Sequence, residues 1–381
     1  MTLPNLCFIT ETGTDVRLVE GLAEKFNLTL VGRQVKNGVA ISQPTAVQFT
    51  AIEGPASRFQ FAQFVWKYLK QQREQFDYVM VQGYGVAAVA ANLASRFTGT
   101  PTAMLVCSPI EAYYSCRRAY SMPDKPFRGY ELRSFQVIAR LNATIGQQYL
   151  VLSQYLAEVV RSHGTQKPVS IIPVYGVDTN LFVPPSEPKA ELKARRGLPT
   201  TGSLIFFSSR IAPEKDSETL LLALQRLLKE GRDLWLLHRS GGYQSFIKEA
   251  ERYGIAERVI ATDAVHPHQQ LPLDYQACDL CVQSSRQEGL GFSPLEALAC
   301  GVPVIASAVG GLRETVIDGQ TGWTYPVGDS DALAKCIEAA LDNPDEAARR
   351  TSTGRDLVCK KYDQGIVFRQ LLDVMRPNSC H

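Results

Sequence analysis

The sequence predicts an α/β protein of two doubly wound domains, and three observations carry that expectation. Short apolar runs that read as strands alternate with helical stretches along both halves of the chain. A proline-containing, charged segment at 179–201, with Pro184-Pro185-Ser-Glu-Pro188 inside it, has linker composition and separates the halves. The length, 381 residues, is ample for two domains of ordinary size.

In the first half, residues 6–10 and 28–31 read as strands around a helix near 15–25. Residues 78–82 form a strand, followed by an Ala-rich helix at 86–97 that Gly99 closes. Strands follow at 103–107, 151–153 and 169–173, with a helix at 155–163. In the second half, a strand at 204–208 leads to a helix at 218–229 stopped by Gly231. Strands at 233–237, 259–262, 280–284 and 304–307 alternate with helical stretches. Near-continuous apolar strands in this rhythm indicate parallel sheets covered on both faces. The domains are therefore 1–185 and 186–360, with a C-terminal helix in 361–381 marked by the apolar run 368–375. Such folds are expected to bind ligands where the carboxyl ends of their strands meet a cleft.

Apolar residues make up 45% of the chain and charged residues 20%, the mixture of a soluble globular protein. A net charge of +2 argues against a dedicated nucleic-acid binder. Nine cysteines without a Cys-x-x-Cys pair fit reduced thiols better than a disulfide framework. The start of the chain lacks a basic region followed by a sustained apolar one, and no run approaches the roughly 18 apolar residues of a membrane span. A cytoplasmic protein is expected, with peripheral attachment to a membrane face left open.

Two motifs carry chemistry. In Glu288-Gly-Leu-Gly-Phe-Ser-Pro-Leu-Glu296, Ser293 reads as a helix N-cap, Pro294 as the first helical residue and Glu296 as an acid in the first turn, with Gly301 as the stop. Gly289 and Gly291 let backbone amides approach a ligand, and the helix start favours an anion such as a diphosphate. Glu296 reads either as the partner in a capping box or, with Glu288, as one of two carboxylates for sugar hydroxyls. The second motif, Ser208-Ser-Arg210-Ile-Ala-Pro-Glu-Lys215-Asp216, follows a strand and precedes a helix. Its Arg210 and Lys215 are either solvated cations or the groups that neutralise a diphosphate leaving group.

With these motifs the chain resembles the retaining nucleotide-sugar glycosyltransferases of family 4, which have the GT-B fold. Arg210, Lys215, Glu288 and Glu296 carry the resemblance, as do Ala297-Leu-Ala-Cys-Gly-Val-Pro-Val-Ile-Ala-Ser307, Gly310-Gly311, Glu314, Gly319-Gln-Thr-Gly322 and Gly176-Val-Asp178. It is strong over about 170–345. The resemblance implies two Rossmann-like domains facing a central cleft, an N-terminal one for the acceptor and a C-terminal one for the donor. The C-terminal helix would cross back to the first domain. It gives Arg210 and Lys215 to the donor diphosphate, Glu296 to the ribose and Glu288 to the donor sugar. Gly289, Leu290, Gly291 and Phe292 would offer backbone amides, and the loop at Ala264 and Val265 would meet the nucleobase. Transfer would retain the anomeric configuration and need no metal or other cofactor, the leaving phosphate helping to deprotonate the acceptor.

Two features depart from the family. No histidine follows the strand at 103–107, where the sequence reads Cys107-Ser108-Pro109, so Ser108 is the candidate contact for the reacting sugar. In place of the usual glycine pair near the N-terminus stands Glu11-Thr-Gly13-Thr-Asp15, so Gly13 is the candidate for the donor phosphates. The stretch 117–140 interleaves Arg117, Arg118, Lys125, Arg128, Arg133 and Arg140 with Tyr120, Phe127, Tyr130 and Phe135. It reads either as an acceptor or anionic-membrane surface, with Arg117 and Arg118 binding acceptor, or as an ordinary solvated helix face. Asp329-Ser-Asp331 is read as a helix cap, and His266-Pro-His268 lacks a third metal ligand. The expected partners are thus a nucleotide-sugar donor and a sugar, glycolipid or small-molecule acceptor. The alternatives are a non-catalytic nucleotide-sugar-binding or scaffold protein of the same fold, and a relative that rearranges or phosphorolyses sugars.

Overall fold

The structure is a computed structural model that describes residues 3–35, 38–39, 47–121, 129–240, 242–262 and 268–375. It divides into two compact units. The first takes the chain up to Glu111, Phe127–Tyr175 and the chain from Val367; the second takes Ala112–Pro126 and Gly176–Ile366. The sequence places the boundary near 185, whereas the chain passes into the second unit at Gly176. The intervening residues are tied there by backbone: the Val177 amide donates to the Tyr362 carbonyl at 2.7 Å, and the Gln364 amide returns to the Val177 carbonyl at 2.9 Å. Phe182 is fully buried and meets the Tyr275 ring edge-on.

The strands of the first unit are β1 (Asn5–Thr10), β2 (Asn27–Val35), β3 (Gly38–Val39), β4 (Thr50–Gly54), β5 (Tyr78–Gln82), β6 (Thr102–Val106), β7 (Gln148–Val151) and β8 (Val169–Ile171). They pair in the order β3-β2-β1-β5-β6-β7-β8, with β4 also parallel to β2 and only β3 antiparallel among the described residues. The buried strands β1, β5 and β6 lie centrally and were legible as apolar runs. Strand β4, mostly exposed and mixed in character, was not. Asp15 caps the helix Val16–Lys25 by accepting from the Arg17 amide, and Gly99 ends the helix Val86–Thr98 in the left-handed conformation.

The second unit contains β9 (Ser203–Phe207), β10 (Leu234–Arg239), β11 (Val259–Thr262), β12 (Leu280–Gln283), β13 (Val304–Ser307) and β14 (Trp323–Tyr325). All pairings are parallel, in the order β11-β10-β9-β12-β13-β14. This is the doubly wound order in which connections leave the first strand in opposite directions, so the loops after β9 and β12 open a crevice between them. Beneath it, the core on one face packs Ile205, Phe207, Leu220, Leu224, Leu236 and Leu280. No helix among the described residues is long and apolar enough to cross a membrane.

From Val367 the last helix, Gln364–Met375, belongs to the first unit, where Phe368 packs on Gly21 of the helix Val16–Lys25. A Cβ at Gly21 would overlap the Phe368 ring. Gly21→Ala is expected to cost about 1–3 kcal/mol by forcing that ring out of its seat. Phe368→Leu should relieve part of that loss, as read by urea denaturation of the single and double variants.

Candidate functional site

The predicted donor residues converge in the second unit, at the carboxyl ends of the neighbouring strands β9 and β12. The chain leaves β9 through Arg210 into a short 3-10 turn, Pro213–Lys215. It leaves β12 through Ser284–Gly291 into the helix Phe292–Ala299. Lys215 donates from Nζ to Glu288 Oε2 at 2.5 Å, so the two motifs meet directly although 73 residues separate them. The same carboxylate oxygen accepts from Ser285 Oγ at 3.1 Å and from Gln283 Nε2 at 3.4 Å. The Glu288 carbonyl in turn accepts from the Gly311 amide at 3.1 Å.

The loops are laced at further points. Ser284 Oγ donates to the Lys215 carbonyl at 3.0 Å, and the Arg286 amide donates to the Glu214 carbonyl at 2.8 Å. Arg286 also pairs with Asp216 at 2.5 Å. Asp216 sits in the left-handed region, at φ 51°, and caps the helix Ser217–Lys229 by accepting from Thr219.

Glu296 does not complete a capping box. Gly291, at φ 93°, lets the chain enter the helix at Phe292, earlier than the expected cap at Ser293. Glu296 therefore lies beyond the first turn. Its buried carboxylate accepts from the Tyr275 hydroxyl at 2.8 Å, and Ser208 Oγ lies 3.0 Å from that hydroxyl. Burial and the Glu296 charge push the Tyr275 phenol well above its ordinary pKa, so it stays a proton donor.

Glu214, between Arg210 and Lys215, had no assigned role. It is wholly buried and accepts from Arg210 Nη2 at 2.5 Å, from Arg117 Nη2 at 2.6 Å and from Arg117 Nε at 3.0 Å. Burial alone would raise its pKa; the Arg117 bonds, a backbone amide and the Arg210 charge hold it below its ordinary value. Arg117 thus lies with the residues predicted to bind the donor. Tyr113 joins them, its hydroxyl 3.4 Å from Glu288 Oε1.

Gly289, Leu290, Gly291 and Phe292 lie between the two carboxylates as expected, with the Leu290 side chain buried. Arg118 is half-buried on the same helix as Arg117. Gly13 and Ser108 belong to the first unit: Gly13 is exposed in the loop after β1, and Ser108 is half-buried just after β6. Val265, Ala264 and His266, with Lys125, Phe127 and Arg128, lie outside the described residues. Asp329 caps the helix Ser330–Asp342 through the Ala332 amide, and Asp331 pairs with Arg226.

The family model described as glycosyl transferases group 1 matches residues 188–357. The GDP-mannose-dependent alpha-(1-6)-phosphatidylinositol monomannoside mannosyltransferase of Mycolicibacterium smegmatis is 34% identical over 189 residues, 47% of this chain and 49% of that protein. A D-inositol 3-phosphate glycosyltransferase of Xylanimonas cellulosilytica is 32% identical over 251 residues, 63% of this chain and 58% of that protein. The chain thus spans about half the length of the curated relatives it matches. Sucrose-phosphate synthase from Thermosynechococcus elongatus shares the fold at a TM-score of 0.79 over 98% of both chains, with 20% identity. Anabaena HepE in complex with UDP and glucose shares it at 0.76 over 98% of this chain and 99% of that one, with 18% identity. The fold is that of the GT-B glycosyltransferases, with two Rossmann-like parallel-sheet domains.

Gly311 supports the glycine loop from beneath, and a Cβ there would overlap the Gly289 carbonyl. Gly311→Ala is expected to lower stability by about 1–3 kcal/mol. At Gly13 an added Cβ meets nothing within 4 Å. Gly13→Ala should therefore stay within about 0.5 kcal/mol of the parent. Equal denaturation midpoints for all three proteins would show that Gly311 does not bear on the loop.

Proposed function

Because residues 188–357 are a glycosyltransferase group 1 domain, we propose that the chain moves a sugar from a nucleotide-diphosphate-sugar to an acceptor hydroxyl, with retention and without a metal. The observation that carries this reading is the Lys215–Glu288 pair beside a glycine loop, at the start of a helix and at the crevice between β9 and β12. A helix start and two cations suit the diphosphate, and carboxylates suit sugar and ribose hydroxyls. Names of relatives point the same way, since one uses GDP-mannose and a fold neighbour was solved with UDP and glucose.

In this reading Arg210 and Lys215 neutralise charge that grows on the leaving diphosphate. Glu288, released from Lys215 by the incoming phosphate, takes the donor sugar, while Glu296 takes the ribose. The acceptor attacks from the face the diphosphate leaves, and a departing phosphoryl oxygen receives its proton. The acceptor is a sugar, a glycolipid or a small molecule. Lys215→Ala and Glu296→Ala are each expected to lower kcat/KM about 100-fold or more while the protein stays folded, as read by circular dichroism. The assay is slow release of free sugar from the nucleotide sugar alone, which needs no known acceptor. Near-normal turnover in both variants, or no release from any nucleotide sugar by the parent, overturns the reading.

The proposal includes peripheral contact with an anionic membrane, supported by one face of the first unit. Its neighbouring helices Arg58–Gln71, Val86–Thr98 and Gly129–Ile145 carry Arg58, Lys67, Lys70, Arg96, Arg133 and Arg140, of which Arg58 pairs with Glu11. They also expose Phe59, Leu93, Phe97, Val137 and Leu141, and Leu93 and Leu141 line a cavity of about 620 Å³ together with Trp66 and Lys67. Apolar side chains rimmed by cations suit an anionic lipid surface. The protein should sediment with phosphatidylglycerol vesicles and not with phosphatidylcholine vesicles. Lys67→Glu with Arg140→Glu should weaken that binding, at about 1 kcal/mol per cation lost. Failure to sediment with anionic vesicles at low salt removes this part of the proposal.

A further inference from the structure

We infer that Arg117 is a third cation of the donor diphosphate site, acting beside Arg210 rather than on the acceptor. The inference rests on the donor-site reading above and deepens it. Tyr113, Arg117 and Tyr120 recur at helical spacing, so they share one face of the segment Ala112–Ser121. Each meets a residue of the two donor loops. The Tyr113 hydroxyl lies 3.4 Å from Glu288, Arg117 grips Glu214, and the Arg286 guanidinium stacks 4.0 Å from the centre of the Tyr120 ring.

The geometry at Glu214 identifies the ligand class. Its side chain has no exposure, yet Arg117 and Arg210 keep 48% and 52% of theirs. One buried carboxylate therefore orients two guanidinium groups and leaves half of each open. Arg117 Nη2 and Arg210 Nη2 both bond the same oxygen, Oε1, at 2.6 and 2.5 Å. Two nitrogens on one oxygen lie no more than about 5 Å apart, within reach of the oxygens of one diphosphate. An anion that meets Arg210 consequently meets Arg117. Two guanidinium charges against one carboxylate leave a net positive charge at this point, and Lys215 adds another that Glu288 offsets. The surplus is the complement of a diphosphate. The Gly289 amide also bonds the Tyr113 oxygen, so the same helix face reaches the glycine loop.

The test is calorimetric binding of UDP, GDP and ADP, and of the corresponding nucleosides, to the parent, Arg117→Ala, Arg117→Lys and Lys215→Ala proteins. Arg117→Ala leaves Glu214 paired with Arg210. It should raise the Kd of the preferred nucleoside diphosphate about ten-fold or more, with nucleoside binding little changed. A purely structural role would shift both ligands together. Arg117→Lys keeps the charge without the fork and should fall between, and it carries the test if the alanine variant does not fold. If the parent binds a nucleoside diphosphate and Lys215→Ala weakens it while neither Arg117 variant does, the inference falls and the donor site stands. If no protein in the set binds any nucleoside diphosphate, the donor reading falls and takes this inference with it.

Discussion

The ion pair of Lys215 with Glu288 is the interaction on which the rest of the site depends. It joins the loop after β9 to the loop after β12, and those loops are neighbours because the strand order reverses between these strands. Both side chains are mostly buried, at 14% and 11% exposure, so desolvation opposes the pair. The opposing cost is met by extra donors on the same carboxylate, Ser285 and Gln283, which would otherwise need partners of their own. A carboxylate with three donors on one oxygen and the Tyr113 hydroxyl on the other keeps one geometry. Under the proposed function, that geometry is the resting one, and a diphosphate competes for the lysine.

Around this pair the two loops behave as a single body. Asp216 holds a left-handed backbone, a conformation that costs a non-glycine residue about 1 kcal/mol. Its carboxylate offsets that by capping the helix Ser217–Lys229 and by pairing with Arg286 on the other loop. The Arg286 amide meets the Glu214 carbonyl, so each loop also braces the backbone of the other. A site laced in this way loses little order when a ligand arrives. The glycines do the complementary task. Gly291 turns the chain into its helix, and Gly311 lets two backbones touch where no side chain fits.

What the sequence made legible follows from how local each signal is. The strands β5 and β13 are legible to the residue because buried parallel strands are continuous apolar runs. Arg210, Lys215, Glu288 and Glu296 stand out as candidates because their motifs are contiguous. The capping box at Ser293 misled because spacing cannot reveal the positive φ at Gly291. Tyr275 left no signal, since its bond to Glu296 joins two helices whose register only the packed unit sets. Glu214 lies inside the same contiguous motif as Arg210 and Lys215, but a carboxylate between two cations reads as neutralised surface charge until its burial is known. Arg117 reads as an acceptor contact because basic and aromatic residues interleave around it, and that pattern says nothing of the carboxylate it grips.

The departures after β6 bear on the proposed chemistry. A histidine is absent there, and Cys107 and Ser108 stand in its place. Burial, with the Asp15 carboxylate, pushes the Cys107 thiol up to about 12, so it is neither a thiolate nor a base near neutral pH. A serine hydroxyl is no base either. The first unit does hold an imidazole nearby in the fold, His163, but its Nε2 lies 3.1 Å from Glu111, whose carboxylate also accepts from Tyr84. Burial alone would raise the Glu111 pKa, yet the bonds from His163 and Tyr84 leave it below its ordinary value. That imidazole is engaged in orienting a carboxylate. Front-face transfer, in which the leaving phosphate takes the acceptor proton, is the route that asks for no side-chain base. Under the proposed function it moves the burden of catalysis onto the groups that would stabilise the diphosphate, and those are residues this chain laces together across two loops.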